Sequence, residues 1–139
     1  MDANLLVNID VPDLARAEAF YTAALGLRPG RRFGGGGLEL LGAGVPIHLL
    51  YQPQDSIAAA EDRRDYRRHW TPVHLDWIVD DLEAALARAE AAGALREGDI
   101  RSAAWGRIVR LADPFGHGIC LIAFSARGYD AIAEPAAAI

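Results

Sequence analysis

The side chains able to do chemistry in this 139-residue sequence are few, and most sit in stretches that alternate as strands do. In residues 73–79, His74 and Asp76 stand two apart. An extended chain therefore puts an imidazole and a carboxylate on one face, with Ile78 beyond them. His48 shares a face with Pro46 and Leu50 in residues 45–51, and Cys120 shares one with Ile122 in residues 118–124. Arg110 follows Ile108 by two in residues 106–112, where a guanidinium either meets an anion in a cleft or pairs with an acid. Cys120 is the only cysteine, so no disulfide forms within the chain, which suits a reducing cytoplasm. Such a lone thiol also reads as a small buried apolar side chain.

Two further patterns hint at anions. Arg63, Arg64, Arg67 and Arg68 cluster in residues 54–70, but Asp62 and Asp65 interleave with them. The spacing predicts a solvated helix or linker over residues 57–69 with local ion pairs. Residues 34–37 are all glycine. They lack the Gly-Lys-Ser/Thr ending and the strand-to-helix setting of a phosphate loop, and read as a hairpin turn. A formal net charge of -5 argues against a nucleic-acid partner and suits a neutral or cationic small ligand. The composition, 52% hydrophobic and 24% charged, is ordinary for a globular domain with a real core. The first four residues lack the basic region of a signal peptide, and no apolar run is long enough to span a membrane.

The elements that must position these groups follow in order. Residues 5–11 read as a strand, with Val7, Ile9 and Val11 on one side and Leu6, Asn8 and Asp10 on the other. Asp13 caps a helix whose apolar face is Leu14, Ala17, Phe20, Tyr21 and Leu25, and Gly26 stops it. Strands are predicted at 28–33, 38–41 and 45–51, and Pro53 ends the last. After the connector, 73–79 is a strand, Asp80-Asp81 caps a helix over 82–92, and Gly93 stops it. Two short strands fit around 94–103. Longer ones at 106–112 and 118–124 flank the turn Asp113-Pro114-Phe115-Gly116-His117. Trp77 and Trp105 read as core or interface residues. Residues 125–139 read as a tail with a frayed alanine-rich end.

The unit repeats. Val11-Pro12-Asp13-Leu14 is matched by Val79-Asp80-Asp81-Leu82 at an offset of 68, and each is followed by a helix, a stopping glycine and about three strands. The expected fold is α+β: two β-α-β-β-β modules forming a curved mixed sheet around a cleft, helices outside. The expected organisation is a single domain over 1–139. Module one covers about 4–52, the connector 53–72, module two about 73–125 and the tail 126–139.

Asp-Leu-x-x-x-x-x-Phe-Tyr-x-x-x-Leu-Gly-Leu at 13–27 resembles the first helix of the vicinal oxygen chelate superfamily. That superfamily holds glyoxalase I, bleomycin-resistance proteins, fosfomycin-resistance enzymes and extradiol dioxygenases. The turn at 113–117 resembles its Asp-Pro-x-Gly-Asn/His turn, and the start of the second helix at 79–82 also fits. The resemblance covers about residues 4–125 and implies a glyoxalase-like fold.

In metal-using members the first and last strands of each module each supply one ligand, typically His or Glu. Carried over residue by residue, the resemblance points to Leu6, His48, His74 and Cys120. Leu6 has no donor atom, and Cys120 offers sulfur in place of a carboxylate. Hard octahedral ions want nitrogen and oxygen, whereas two imidazoles and a thiolate suit tetrahedral Zn²⁺ with an open position. Asp76 is then the nearest acid or base, and it serves as well as a partner for a His or Arg. The expected function is a glyoxalase/bleomycin-resistance-like protein that binds a small organic molecule through His48, His74, Asp76, Arg110 and Cys120. It has no intact metal site and no assigned catalytic residue. The alternative is a Zn-assisted lyase, isomerase or thiol transferase using His48, His74 and Cys120. The remaining expectations are no nucleic acid, no membrane, a homodimer and a cytoplasmic location.

Overall fold

In the computed structural model, which describes residues 2–135, β1 (Val7–Val11) leads through Pro12 into α1 (Leu14–Leu25). The Asp13 carboxylate accepts from the Arg16 N–H at 3.0 Å, and Gly26 ends the helix in the left-handed region at φ 68°. Ala17, Phe20, Tyr21 and Ala24 form the buried face of α1. Next come β2 (Arg28–Arg32), β3 (Gly37–Leu41) and β4 (Ile47–Tyr51). Gly34 to Gly36 form the β2–β3 hairpin turn, as the flanks suggest, and Gly37 opens β3. The sheet order is β1-β4-β3-β2, with β1 parallel to β4 and the other pairs antiparallel.

Of the helix or linker expected over residues 57–69, the connector takes the non-helical form. It holds a small antiparallel hairpin, β5 (Ile57–Ala59) and β6 (Asp62–Arg63). Asp55 and Ala60 adopt positive φ, which a helix does not allow. Arg64 leaves the local acids and pairs with Asp10 of β1 at 2.8 Å, and the Tyr66 hydroxyl donates to the Gln52 carbonyl. Arg67 keeps a local partner, Asp65, at 2.8 Å, while Arg64 and Arg68 take distant acids.

Module two repeats the first: β7 (Leu75–Ile78), α2 (Leu82–Ala92), β8 (Leu95–Arg96), β9 (Arg101–Ala103), β10 (Gly106–Ala112) and β11 (Gly118–Phe124). Its sheet order is β7-β11-β10-β8, and β9 pairs with the start of β10. Asp81 caps α2 through the Ala84 N–H, and Gly93 closes it at φ 117°. A 3-10 turn over Gly128–Ala131 sets Tyr129 against Phe124 and Trp105, so the start of the tail is folded; its last residues, 136–139, lie outside the described ones.

α1 and α2 pack on each other, and both modules share one apolar core. Side chains facing the helices, such as Val11, Leu49, Val109 and Leu121, are almost fully buried. The opposite faces carry the polar positions. In module one Asn8 pairs in register with His48, and His48 with Glu39. In module two Asp76 pairs with Cys120, and Cys120 with Arg110. The offset of 68 takes Leu6 to His74 and Asn8 to Asp76, so the two faces are equivalent in position and different in chemistry.

The two recognisable motifs meet in the core. Asp113, only 2% exposed, accepts from the Phe115 and His117 N–H groups at 2.8 and 2.9 Å. The Tyr21 hydroxyl of α1 donates to the same carboxylate at 2.6 Å. Burial first, then the adjacent Asp113 charge, hold the Tyr21 phenol well above its usual range. His117 Nε2 donates to the Asp10 carbonyl at 2.7 Å. The 113–117 turn is therefore a clasp between modules.

Candidate functional site

Period-2 alternation on three neighbouring strands of module two brings Arg110, Cys120 and Asp76 side by side on the face away from α2. His74 precedes β7 on the same side, and its Nδ1 lies 3.2 Å from Asp76 Oδ1. One donor atom from each of His74, Asp76 and Cys120 can be chosen so that all three lie within 4.8 Å of one another. Burial first, then the Asp76 carboxylate, push the Cys120 thiol up to about 11, against the opposing pull of Arg110 and Arg101. At neutral pH Cys120 is a neutral thiol, not a ready nucleophile.

These groups line a cavity of about 560 Å³. The alternation pattern did not reveal its remaining walls. The connector brings Arg68 and Trp70, and the β8–β9 segment brings Glu97 and Arg101. Arg68 grips Glu97 with two hydrogen bonds of 2.7 and 2.9 Å. Its guanidinium lies against Gly118, where an added Cβ would stand 2.8 Å from it. The Trp70 ring sits 5.5 Å from that of His74, centroid to centroid.

His48 and Leu6 do not line this cavity. The structure places His48 on the first sheet, edge-on to Phe33, with Nε2 3.9 Å from Glu39. That nitrogen is shielded from solvent and has no hydrogen-bond partner among the described residues. Glu39 is bound to Arg31 at 2.6 Å, and that hydrogen bond holds its carboxyl down at about 2. Where the resemblance implied His48 beside His74 and Cys120, the third donor brought together with them is Asp76. Leu6 is 47% exposed ahead of β1.

The donor chemistry separates the candidate ions. An imidazole, a carboxylate and a thiol form a three-ligand set for tetrahedral Zn²⁺. The sulfur fits poorly with Mn²⁺, Mg²⁺ or Fe²⁺, which prefer oxygen and nitrogen in octahedral sites.

A pair of modules, one with a four-stranded and one with a five-stranded sheet, polar face opposite the helices, defines a class, and the comparisons agree with it. The chain matches the glyoxalase-like domain family over residues 6–122 and belongs to that family, within the vicinal oxygen chelate superfamily. No functionally curated protein matches the sequence. Among solved structures it is similar to a mutant of the fosfomycin resistance protein FosX from Listeria monocytogenes, complexed with Mn(II) and dihydroxypropylphosphonic acid. The identity is 19%, the coverage 91% of this chain and 94% of that one, and the TM-score 0.71. An integron cassette protein from V. cholerae gives 23% identity, coverage of 90% and 97%, and a TM-score of 0.63. A hypothetical protein from S. aureus gives 16%, 88% and 98%, and 0.66. At these identities the likeness is one of fold.

Proposed function

We propose that this protein binds a small organic molecule in the module-two cavity and holds no hard divalent metal there. The cavity itself carries this reading. At about 560 Å³ it has the size of small-molecule sites, and its polar groups share the lining with the apolar side chains of Trp70 and Ile108. The small organic acid bound by FosX supports a ligand of similar size. Ile108→Trp fills the cavity without touching the helix-facing core. Thermal-shift screening of small acids, amides and amines should give stabilising hits with the native chain that disappear in this variant. Hits that persist in it would place the binding elsewhere.

A second reading is favoured by the donor distances: a Zn²⁺ ion held by His74, Asp76 and Cys120, in a Zn-assisted lyase, isomerase or thiol transferase. Zinc bound there would supply Lewis-acid polarisation of a ligand oxygen. The chain's own part is to hold the three donors and, through Arg68 and Glu97, to wall the cavity. Elemental analysis after equilibration with each ion separates the readings. We expect well under one equivalent of Mn²⁺, Ni²⁺, Fe²⁺ or Mg²⁺, and any bound ion to be Zn²⁺, lost in His74→Ala. Stoichiometric Mn²⁺ would overturn the first reading.

We also propose a homodimer in a reducing, cytoplasmic setting. β1 and β7 are the end strands of their sheets, and Leu6, Val73 and Ile78 beside them are exposed, Val73 to 82%. No helix among the described residues is long and apolar enough to cross a membrane.

A further inference from the structure

The charges around the cavity are not equally free. Arg68 is held by Glu97 through two hydrogen bonds. Asp99 points to solvent, its side chain fully exposed, with Arg96 at 3.6 Å. Asp76 faces His74. Arg101 and Arg110 remain. Among the described residues neither side chain makes an ion pair or a hydrogen bond, although the chain as a whole carries a charge of -5.

Strand register sets these two guanidiniums on one face. Arg110 stands opposite Cys120, and Arg101 of β9 stands opposite Ile108 of β10. Ile108 and Arg110 are two apart on the same strand, so Arg101 and Arg110 are diagonal neighbours across it. Diagonal neighbours in a sheet lie about 7–8 Å apart at the backbone, within reach of two long side chains closing on one group. Both line the same cavity, Arg110 beside Cys120 in register. Ile108 lies between them and Trp70 lines the same cavity. Asp76, on the other side of Cys120, makes that end hostile to a second anion.

We propose that the cavity recognises an oxyanion, carboxylate or phosphate, on a small molecule with an apolar body. Arg101 and Arg110 clasp the anionic head, and the body rests on Ile108 and Trp70. This rests on the reading of the cavity as a ligand site and adds the class of ligand, replacing the neutral or cationic one suggested by net charge alone. Two guanidiniums present fixed, forked donors that match an oxyanion's geometry. The local pair outweighs a diffuse negative charge that salt screens over about 8–10 Å.

The test is a titration of the native chain with benzoate, phenyl phosphate, benzamide and benzylamine, followed by tryptophan fluorescence and thermal shift. Benzoate or phenyl phosphate should bind at least roughly tenfold more tightly than benzamide and benzylamine, the difference expected for charge-assisted hydrogen bonds. The tighter of the two acids names the head group. Arg101→Gln and Arg110→Gln should each weaken the acid by roughly tenfold, while Arg16→Gln, outside the cavity, should not. Circular dichroism checks that the variants fold. If benzamide binds as tightly as benzoate and Ile108→Trp blocks both, the cavity is a ligand site and the oxyanion assignment falls. If none of the four binds at about 10 mM, a concentration that detects even millimolar affinity, the cavity reading falls and takes this one with it.

Discussion

Cys120 is the residue whose state most sharply distinguishes the chemistries open to this site. Its thiol is held protonated by burial and by Asp76, so it should react slowly with iodoacetamide at neutral pH, with a rate that climbs toward about pH 11. Asp76→Asn removes one of the two named causes and should move that rise to lower pH. The stability linkage has a definite sign. A folded-state pKa raised above the unfolded value gives stability that is fully present below about pH 8.5–9 and lost as pH rises toward 11. Urea denaturation between pH 8 and 11, compared with Cys120→Ser, checks it: the native chain should lose more stability over that window than the variant. Zinc, if it binds, must displace the thiol proton, so its affinity should rise with pH and it should protect Cys120 from alkylation. At this scale the sequence was informative within one sheet. Alternation placed His74 with Asp76 in one strand, and Arg110 and Cys120 each in its own; strand register then sets them on a shared face. Alternation placed His48 only within its own strand, since a period of two says nothing about how two sheets sit relative to each other. Arg101 lies on a three-residue strand and Trp70 in a connector, neither with a periodic signal.

Among the elements, the 113–117 turn is the one whose role differs most from its appearance. In sequence it is a proline-glycine turn; in the structure its aspartate receives a hydrogen bond from Tyr21, 92 residues earlier in the chain. Tyr21→Phe removes one donor from a buried carboxylate and should cost about 1–3 kcal/mol, the penalty for an unsatisfied buried group, measured by urea denaturation. Asp113→Ala strips the partner from three donors and should cost more. Gly116 sits at φ 84°, and a Cβ there would run into the Tyr66 carbonyl of the connector. Gly116→Ala should therefore lose more than the roughly 1 kcal/mol that a left-handed backbone costs a side chain, seen as a lowered melting temperature. Caps and stops at Asp13, Gly26, Asp81 and Gly93 were legible because their causes lie within a turn of the helix end. The connector was not, because what fixes it is Arg64 reaching β1, a contact with no local signature.

For the whole molecule, duplication explains both the fold and its asymmetry. At an offset of 68 the repeat sets Val11, Leu14 and Ala17 against Val79, Leu82 and Ala85, which pack into one shared core, and lets the opposite faces diverge. Module one there carries Asn8, Glu39 and His48, with Glu39 already tied to Arg31; module two carries Asp76, Arg110 and Cys120 around a cavity. The exposed apolar residues at the end strands β1 and β7 are where the proposed dimer is tested. Leu6 is 47% exposed, Ile78 69% and Val73 82%, a cost to a monomer that a second copy can relieve. A two-fold axis would apply the same patch from both sides, closing the assembly at two chains. Light scattering at micromolar concentration should give twice the chain mass. Val73→Glu and Ile78→Glu put charges into that patch and should give the single-chain mass. Because both side chains are largely exposed, each change should alter the stability of the isolated chain by no more than about 0.5 kcal/mol. A native chain that scatters as a single copy would refute the dimer, and variants that stay dimeric would move the interface away from β1 and β7.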